Sequence, residues 1–429
     1  MLSTRGQANA DQLDIPWRFL PGGTPYDADK HPEGLISFAT AENALVQGEL
    51  EEFAAKVHIP RDAFRYAYCT AGGPRLPRAF AVHVNEYFAP YREIPASDVK
   101  ITASATALHD ILAFSLAAPG EGILTSTPYY GRFEIDFGNK AHIHLVPAQV
   151  EHQRCFDADV VQAFEKALGE SEKNGVKIRA LLIVNPHNPL GRCYPRSTLL
   201  ALMHFCARHT IHLISDEIYA LSVFPTPLSP SAVPFTSLLS LDPTGIIDAN
   251  LVHVTYGLSK DFGAAGLKVG ALISRNEALK KAVHAVLRFH GVSGPSVAVA
   301  TAMLEDRDWV RGFIALSRQR IADAYLYFTT RLAEIGIRYY EGGNAGFFLW
   351  IDMSPFLPLG APGAAALTDA QKEIGLAERL LRSGLVLQPG EEHGVAVGWF
   401  RVVFTMERGV VEEGLRRLEG VVKEIVGRW

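Results

Sequence analysis

A chain of 429 residues, with 48% hydrophobic and 20% charged side chains, is too long for one ordinary core and has the composition of a globular protein with two lobes. A formal charge of -5 excludes the clustered Lys and Arg of a nucleic-acid surface, and no apolar run reaches the roughly 20 residues that a membrane helix needs. Residues 1–16 hold no apolar stretch and two Asp, and the four cysteines (Cys69, Cys155, Cys193, Cys206) form no CxxC pair, so the expectation is a cytoplasmic chain with reduced thiols and no secretory or transit leader.

Through the middle of the chain, short apolar or β-branched runs alternate with helical patterns. Strand-like runs fall at 99–103, 122–125, 142–146, 180–184, 212–215, 251–256 and 269–274, with a helical pattern at 108–116. Near-continuous apolar strands separated by helices predict an α/β fold whose mostly parallel sheet is covered on both faces. Functional groups in such folds gather beyond the carboxyl ends of the strands. From about 308 a long helical pattern runs past 332. Strand-like segments at 347–351, 385–388 and 399–404 follow, and then a closing helix over 411–426. This reads as a smaller α+β lobe. The Pro-, Gly- and Ala-rich stretch 355–367 reads as a loop or insertion. The expected division is an N-terminal arm, 1–59, joining the small lobe, then a large lobe, 60–310, and a small lobe, 311–429.

The residues able to do chemistry follow the strands. Tyr256-Gly257-Leu258-Ser259-Lys260-Asp261-Phe262-Gly263 ends an apolar run in a hydroxyl, a lysine and a glycine turn. Ser-Lys alone is ordinarily a surface pair, but a lysine at a strand end within a cleft can form an imine with an aldehyde and later take a proton from the adjacent carbon. Asn185-Pro186-His187-Asn188-Pro189-Leu190-Gly191 follows another strand, and its prolines restrict the turn that aims the Asn188 amide. Ser215-Asp216-Glu217-Ile218-Tyr219 follows a third; Asp216 suits a ring nitrogen, and Tyr219, three residues on, suits the same side of a helical turn. Ala103-Ser104-Ala105-Thr106-Ala107 supplies small residues and hydroxyls where a strand becomes a helix, as an anion site requires, with Ser259 and Lys268 to complete a phosphate cup. Tyr130 offers a stacking ring. Arg401, inside the apolar run Trp399-Phe400-Arg401-Val402, is explained most simply by a carboxylate ligand, since a buried cation without one is costly.

In their order these motifs resemble the class I/II aminotransferase superfamily, the fold-type I enzymes that use pyridoxal 5'-phosphate (PLP), and within it the branch similar to 1-aminocyclopropane-1-carboxylate (ACC) synthases. The resemblance runs from Ala41-Glu42-Asn43 to Arg401. It implies a homodimer and a large PLP-binding domain, with Ala105 and Thr106 at the phosphate, Tyr130 over the ring, Asn188 and Tyr219 at the ring oxygen and Asp216 at the ring nitrogen. It further implies Lys260 as the catalytic, cofactor-bearing lysine, Arg401 at the substrate carboxylate, and Glu42 and Asn344 (in Asn344-Ala345-Gly346-Phe347-Phe348) beside the substrate. No metal is called for.

Three places depart from the family pattern. Gly257 stands where the family has serine, and Lys268 where it has arginine. Where relatives carry a tyrosine before a glycine, a gapless match puts Thr70, and a small loop shift would bring in Tyr68 instead. Similarity to ACC synthases implies a sulfur leaving group. The expected reaction is C–S cleavage of an S-substituted cysteine conjugate, as in lyases of fungal secondary metabolism. The alternative is an aminotransferase passing an amino group to a 2-oxo acid. An ACC synthase acting on S-adenosylmethionine and a non-catalytic regulator stand behind these. The sequence identifies no second arginine for a side-chain carboxylate.

Overall fold

The structure is a computed structural model that describes residues 1–357, 367–395 and 397–427. Most of the stretch expected to loop at 355–367, namely 358–366, lies outside the described residues.

Strand β1 (Ile36–Ser37) belongs to the N-terminal segment. Strands β2 (Val99–Thr102), β3 (Gly122–Ser126), β4 (His144–Ala148), β5 (Ile178–Val184), β6 (His212–Asp216), β7 (Val252–Gly257) and β8 (Gly270–Ser274) form one seven-stranded sheet in the order β2-β8-β7-β6-β5-β3-β4. Neighbours from β7 to β4 are parallel, while β8 runs antiparallel to β2 and to β7. The expected α/β class with a mostly parallel sheet is what the chain adopts.

Strand β5 shows why these runs are apolar throughout. Leu181 and Ile183 face one core with Leu199 and Leu202 of the helix Arg196–His209, while Ala180, Leu182 and Val184 face another with Leu108, Leu112 and Val283. Alternate residues of a strand point to opposite faces, and with both faces covered every position from 180 to 184 is buried. Strand β4 begins later than the expected 142, because His142 takes a left-handed φ of 54° and turns the chain. It is an edge strand, where Pro147 costs no ladder bond on the open side. The helix expected at 108–116 starts earlier, as Ala105–Leu116, directly above the end of β2.

The rest of the chain builds a second sheet. Strands β9 (Arg338–Tyr339) and β10 (Phe348–Asp352) precede β11 (Leu385–Val386), β12 (Gln388–Pro389) and β13 (Trp399–Val403), and the antiparallel order is β12-β13-β10-β9. The run expected as one strand at 385–388 is therefore two: β11 pairs with β1 in parallel, while β12 pairs with β13, setting Gln388 opposite Arg401. A 29-residue helix, Arg307–Ile335, stops at Gly336, whose φ of 86° provides the left-handed cap. The closing helix, Arg408–Val426, packs Leu415 and Leu418 into a separate core with Phe38, Phe328 and Phe400. Among the described residues no helix is long and apolar enough to cross a membrane.

Candidate active site

A cavity of about 260 Å³ opens at the carboxyl ends of β5, β6 and β7, walled on its other side by residues 39–41, Gln388 and Arg401. Register brings its groups together. Asp216, the last residue of β6, lies opposite Thr255 of β7, and the chain then reaches Lys260 three residues beyond the end of β7. Lys260 Nζ donates to the carbonyl of Ala41 at 2.5 Å and sits 6.0 Å from the centre of the Tyr219 ring. Burial, and then the positive charge of Arg401, hold this amine down at about 8, with Glu42 and Asp216 opposing.

Asp216 is braced from two sides. Thr255 Oγ1 donates to its Oδ1 at 3.1 Å. His109, buried on the helix Ala105–Leu116, sets Nε2 3.5 Å from Asp216 Oδ2, a charge contact without the alignment of a good hydrogen bond, and Nδ1 3.0 Å from Asp136 Oδ2. Burial works against a charged imidazole here, but the two acids outweigh it and raise His109 to about 9. The imidazole is thus a cation at neutral pH, flanked by two carboxyl groups. Tyr219 lies in a tight turn rather than in the helical turn that the sequence suggested, its ring edge-on to Phe347 and Phe348 at 5.4 and 5.2 Å.

Arg401 is 3% exposed, and burial lowers its pKa. Nη1 donates to Asn188 Oδ1 at 2.9 Å and Nη2 to the Ala39 carbonyl at 2.7 Å, while Nε has no partner. No carboxylate among the described residues pairs with it. The bond to Asn188 turns that amide so that Nδ2 is the end left to donate into the cavity.

Ser104 precedes the helix Ala105–Leu116 with a φ of 93°, made possible because Gly270 has no side chain: a Cβ there would lie 2.7 Å from the Ser104 carbonyl carbon. Ser104 makes no capping bond, so the first-turn N–H groups, where Ala105 and Thr106 line the cavity, stand ready for an anion. Ser259 and Lys268 line the same wall, and Tyr130 another.

Four residues singled out in the sequence stand outside the lining. Glu42 is exposed, its backbone carbonyl accepting from Thr405 Oγ1 at 2.6 Å, though its charge reaches Lys260. Asn344 is buried behind the wall, its N–H donating to Gly191 O at 2.8 Å. Thr70 is exposed and donates to the Tyr66 carbonyl, while Tyr68 borders a separate groove with Phe53 and Trp309. The sequence reading missed His109, Gln388 and Arg132, all of which line the cavity. The sequence had identified no second arginine for a side-chain carboxylate, and Arg132 is one that the fold brings to the cavity. It is a second guanidinium in the same cavity, and its place, two residues beyond Tyr130, was the one signal available.

The description "Aminotransferase class I and II" fits residues 71–418 of this chain. The chain belongs to the class I and II aminotransferase family. Rice ACC synthase 6 (Oryza sativa subsp. japonica) is 32% identical over 434 residues, covering 94% of this chain and 76% of the rice protein. The probable aminotransferase aclI of Aspergillus oryzae is 33% identical over 440 residues, covering 98% of both chains. In fold, Thermus thermophilus aspartate aminotransferase with maleate is similar at a TM-score of 0.75 over 98% of this chain and 99% of that one, at 19% identity. This is a PLP-dependent enzyme of the aminotransferase type with ACC synthase-like relatives. The cavity suits that cofactor: it offers an amine of lowered basicity, an open helix N-terminus for a phosphate, an acid backed by a cation, and a buried guanidinium lacking a carboxylate.

Proposed function

We propose that this protein is a lyase that breaks the Cβ–S bond of an S-substituted cysteine conjugate. The observation that carries the reading is the sharing of one cavity by Lys260 and Arg401, a base held at about 8 and a buried cation without an acidic partner. The sulfur leaving group rests on the likeness to ACC synthases. A cytoplasmic homodimer working in secondary metabolism belongs to the same reading.

When bound, PLP supplies an aldehyde carbon for the substrate amine and a ring that takes up the electron pair left as the Cα–H bond breaks. Arg401 takes the α-carboxylate through the N–H groups that Asn188 and Ala39 leave free, and so turns Cα–H toward Lys260. Lys260 accepts that proton as its free amine, which is appreciably populated near neutral pH. The electron pair forms a Cα–Cβ double bond as Cβ–S breaks, sulfur leaves with the bonding pair, and Lys260 returns the proton to it as a thiol. The Lys260 amine, free again, would displace the three-carbon enamine from the aldehyde carbon, and water would hydrolyse the released enamine to a 2-oxo acid and ammonia. Asp216, with His109 behind it, would meet the ring nitrogen, Asn188 and Tyr219 would donate to the ring oxygen, and Tyr130 would supply a stacking ring. Ala105, Thr106, Ser259 and Lys268, which line the cavity, would hold the phosphate. Glu42, outside the lining, would act on the site through its charge, and Asn344 would brace the Asn188 loop through Gly191.

An aminotransferase is the second reading, favoured by the full-length likeness to aclI. The test is to incubate the PLP-loaded protein with an S-substituted cysteine and no 2-oxo acid, counting thiol, 2-oxo acid and ammonia per site. Many turnovers with thiol release support the lyase. One equivalent of 2-oxo acid, with the cofactor left in its amine form, establishes the aminotransferase and removes the C–S reading.

A further inference from the structure

The mechanism above uses one arginine, and the cavity contains two. Arg132 lies two residues after Tyr130, just before the helix Phe133–Gly138, and lines the same cavity as Lys260 and Arg401. Its backbone is fixed closely, because Gly131 has no side chain: a Cβ there would come within 2.1 Å of the Glu392 carbonyl oxygen. Its guanidinium lies 5.1 Å from the centre of the Phe19 ring, on the N-terminal segment that also brings Leu20 to the cavity wall.

Among the described residues Arg132 has no ion pair, and its Nη1 is buried without a hydrogen-bond partner. Neither of the nearby acids pairs with it, although the buried Glu392 Oε2 has no partner of its own. Glu134 takes Arg18 at 2.8 Å and the Tyr129 hydroxyl at 2.9 Å. Glu392 lies in the field of Arg132 but beyond ion-pair reach, and burial holds it up at about 7, so that much of it is neutral at neutral pH. Arg132 also contributes to the lowering of Arg401, so the two cations oppose each other in one partly dry space. Such an arrangement is unfavourable by itself and becomes favourable when each guanidinium meets its own anion. A substrate with only an α-carboxylate satisfies Arg401 and leaves Arg132 unmatched.

We infer that Arg132 selects substrates carrying a second anionic group, a carboxylate on the side chain or S-substituent, which it binds at the mouth of the cavity beside Phe19 and Leu20. The inference rests on the proposed cofactor and carboxylate site but not on which bond is broken there.

The test compares two probes of nearly equal size, S-carboxymethylcysteine and its amide, S-carbamoylmethylcysteine. Each is titrated into PLP-loaded wild type, Arg132→Gln and Arg132→Lys, with binding read from cofactor absorbance and thiol release measured separately. Wild type should bind the acid about tenfold more tightly than the amide, the scale of one partly desolvated charge pair. Arg132→Gln should bring the two constants nearly together, and Arg132→Lys, which keeps the charge, should retain part of the preference. Melting temperature and cofactor absorbance show that the variants are folded. A preference that survives unchanged in Arg132→Gln, or a wild type that favours the amide, overturns the inference. If the ratio collapses as expected while neither probe releases thiol, the lyase reading fails and this one stands.

Discussion

Replacing Arg401 by alanine removes a guanidinium held at two points, 2.9 Å from Asn188 Oδ1 and 2.7 Å from the Ala39 carbonyl, and shut away from water. Truncating one partner of a desolvated, hydrogen-bonded charge pair costs about 2–5 kcal/mol. At about 1.4 kcal/mol per tenfold, substrate affinity should fall roughly 30-fold to several-thousandfold. The assay is a titration of PLP-loaded protein, read by cofactor absorbance, with an S-substituted cysteine and with the matching amine that lacks the α-carboxylate. The loss should be confined to the amino acid. A second readout follows from the charge itself. After burial, Arg401 is the next cause holding Lys260 at about 8, so in Arg401→Ala the amine should titrate higher. A variant that binds the amino acid as tightly as wild type refutes the carboxylate role.

Three further outcomes follow from the structure. A Cβ at Gly257 would lie 2.7 Å from the Val269 carbonyl oxygen and 3.2 Å from Gly270 Cα, both backbone, so Gly257→Ser should destabilise the fold by about 1–3 kcal/mol, seen as a lower melting temperature. Lys268 occupies a left-handed position after the turn Ala265–Leu267, at the cavity wall. Lys268→Arg should add one charge-assisted hydrogen bond to the phosphate, about 1.5 kcal/mol or roughly tenfold in PLP retention on dialysis, and unchanged retention would count against Lys268 as a phosphate ligand. Glu217 is buried, accepting from Ser215 Oγ, Ser237 Oγ and the Leu238 N–H, and burial raises it from 4.5 to about 8. The folded chain keeps a proton that the unfolded chain releases, so this contribution is complete below about pH 4.5 and is lost as pH rises through about 8. Against Glu217→Gln, wild type should lose ground in melting temperature between about pH 5 and about pH 8.5; a constant difference would show that Glu217 does not titrate there.

The sequence by itself determined the chemistry at the strand ends. In a parallel sheet an apolar run is buried on both faces, so the polar residues at its end stand at the carboxyl edge, and Asp216 at the end of β6 and Lys260 after β7 are readable within a few residues of their strands. Arg401 was readable for the opposite reason, as a charge inside an apolar strand. The division of 385–388 was not readable, because Leu385–Val386 and Gln388–Pro389 take different partners and nothing in the run names them. His109 sits among Leu108, Ile111 and Leu112 on its helix and looks like core. Only the packing of that helix against β6 and against Phe133–Gly138 puts the ring between Asp216 and Asp136. Arg132 enters the cavity by the same kind of tertiary decision. A local motif encodes which group is present and roughly where the backbone delivers it. What that group meets depends on residues far away in the chain, as Arg401 shows by reaching Asn188 across 213 positions and Ala39 across 362. Such pairings are settled by how the layers pack, which no contiguous stretch of sequence specifies.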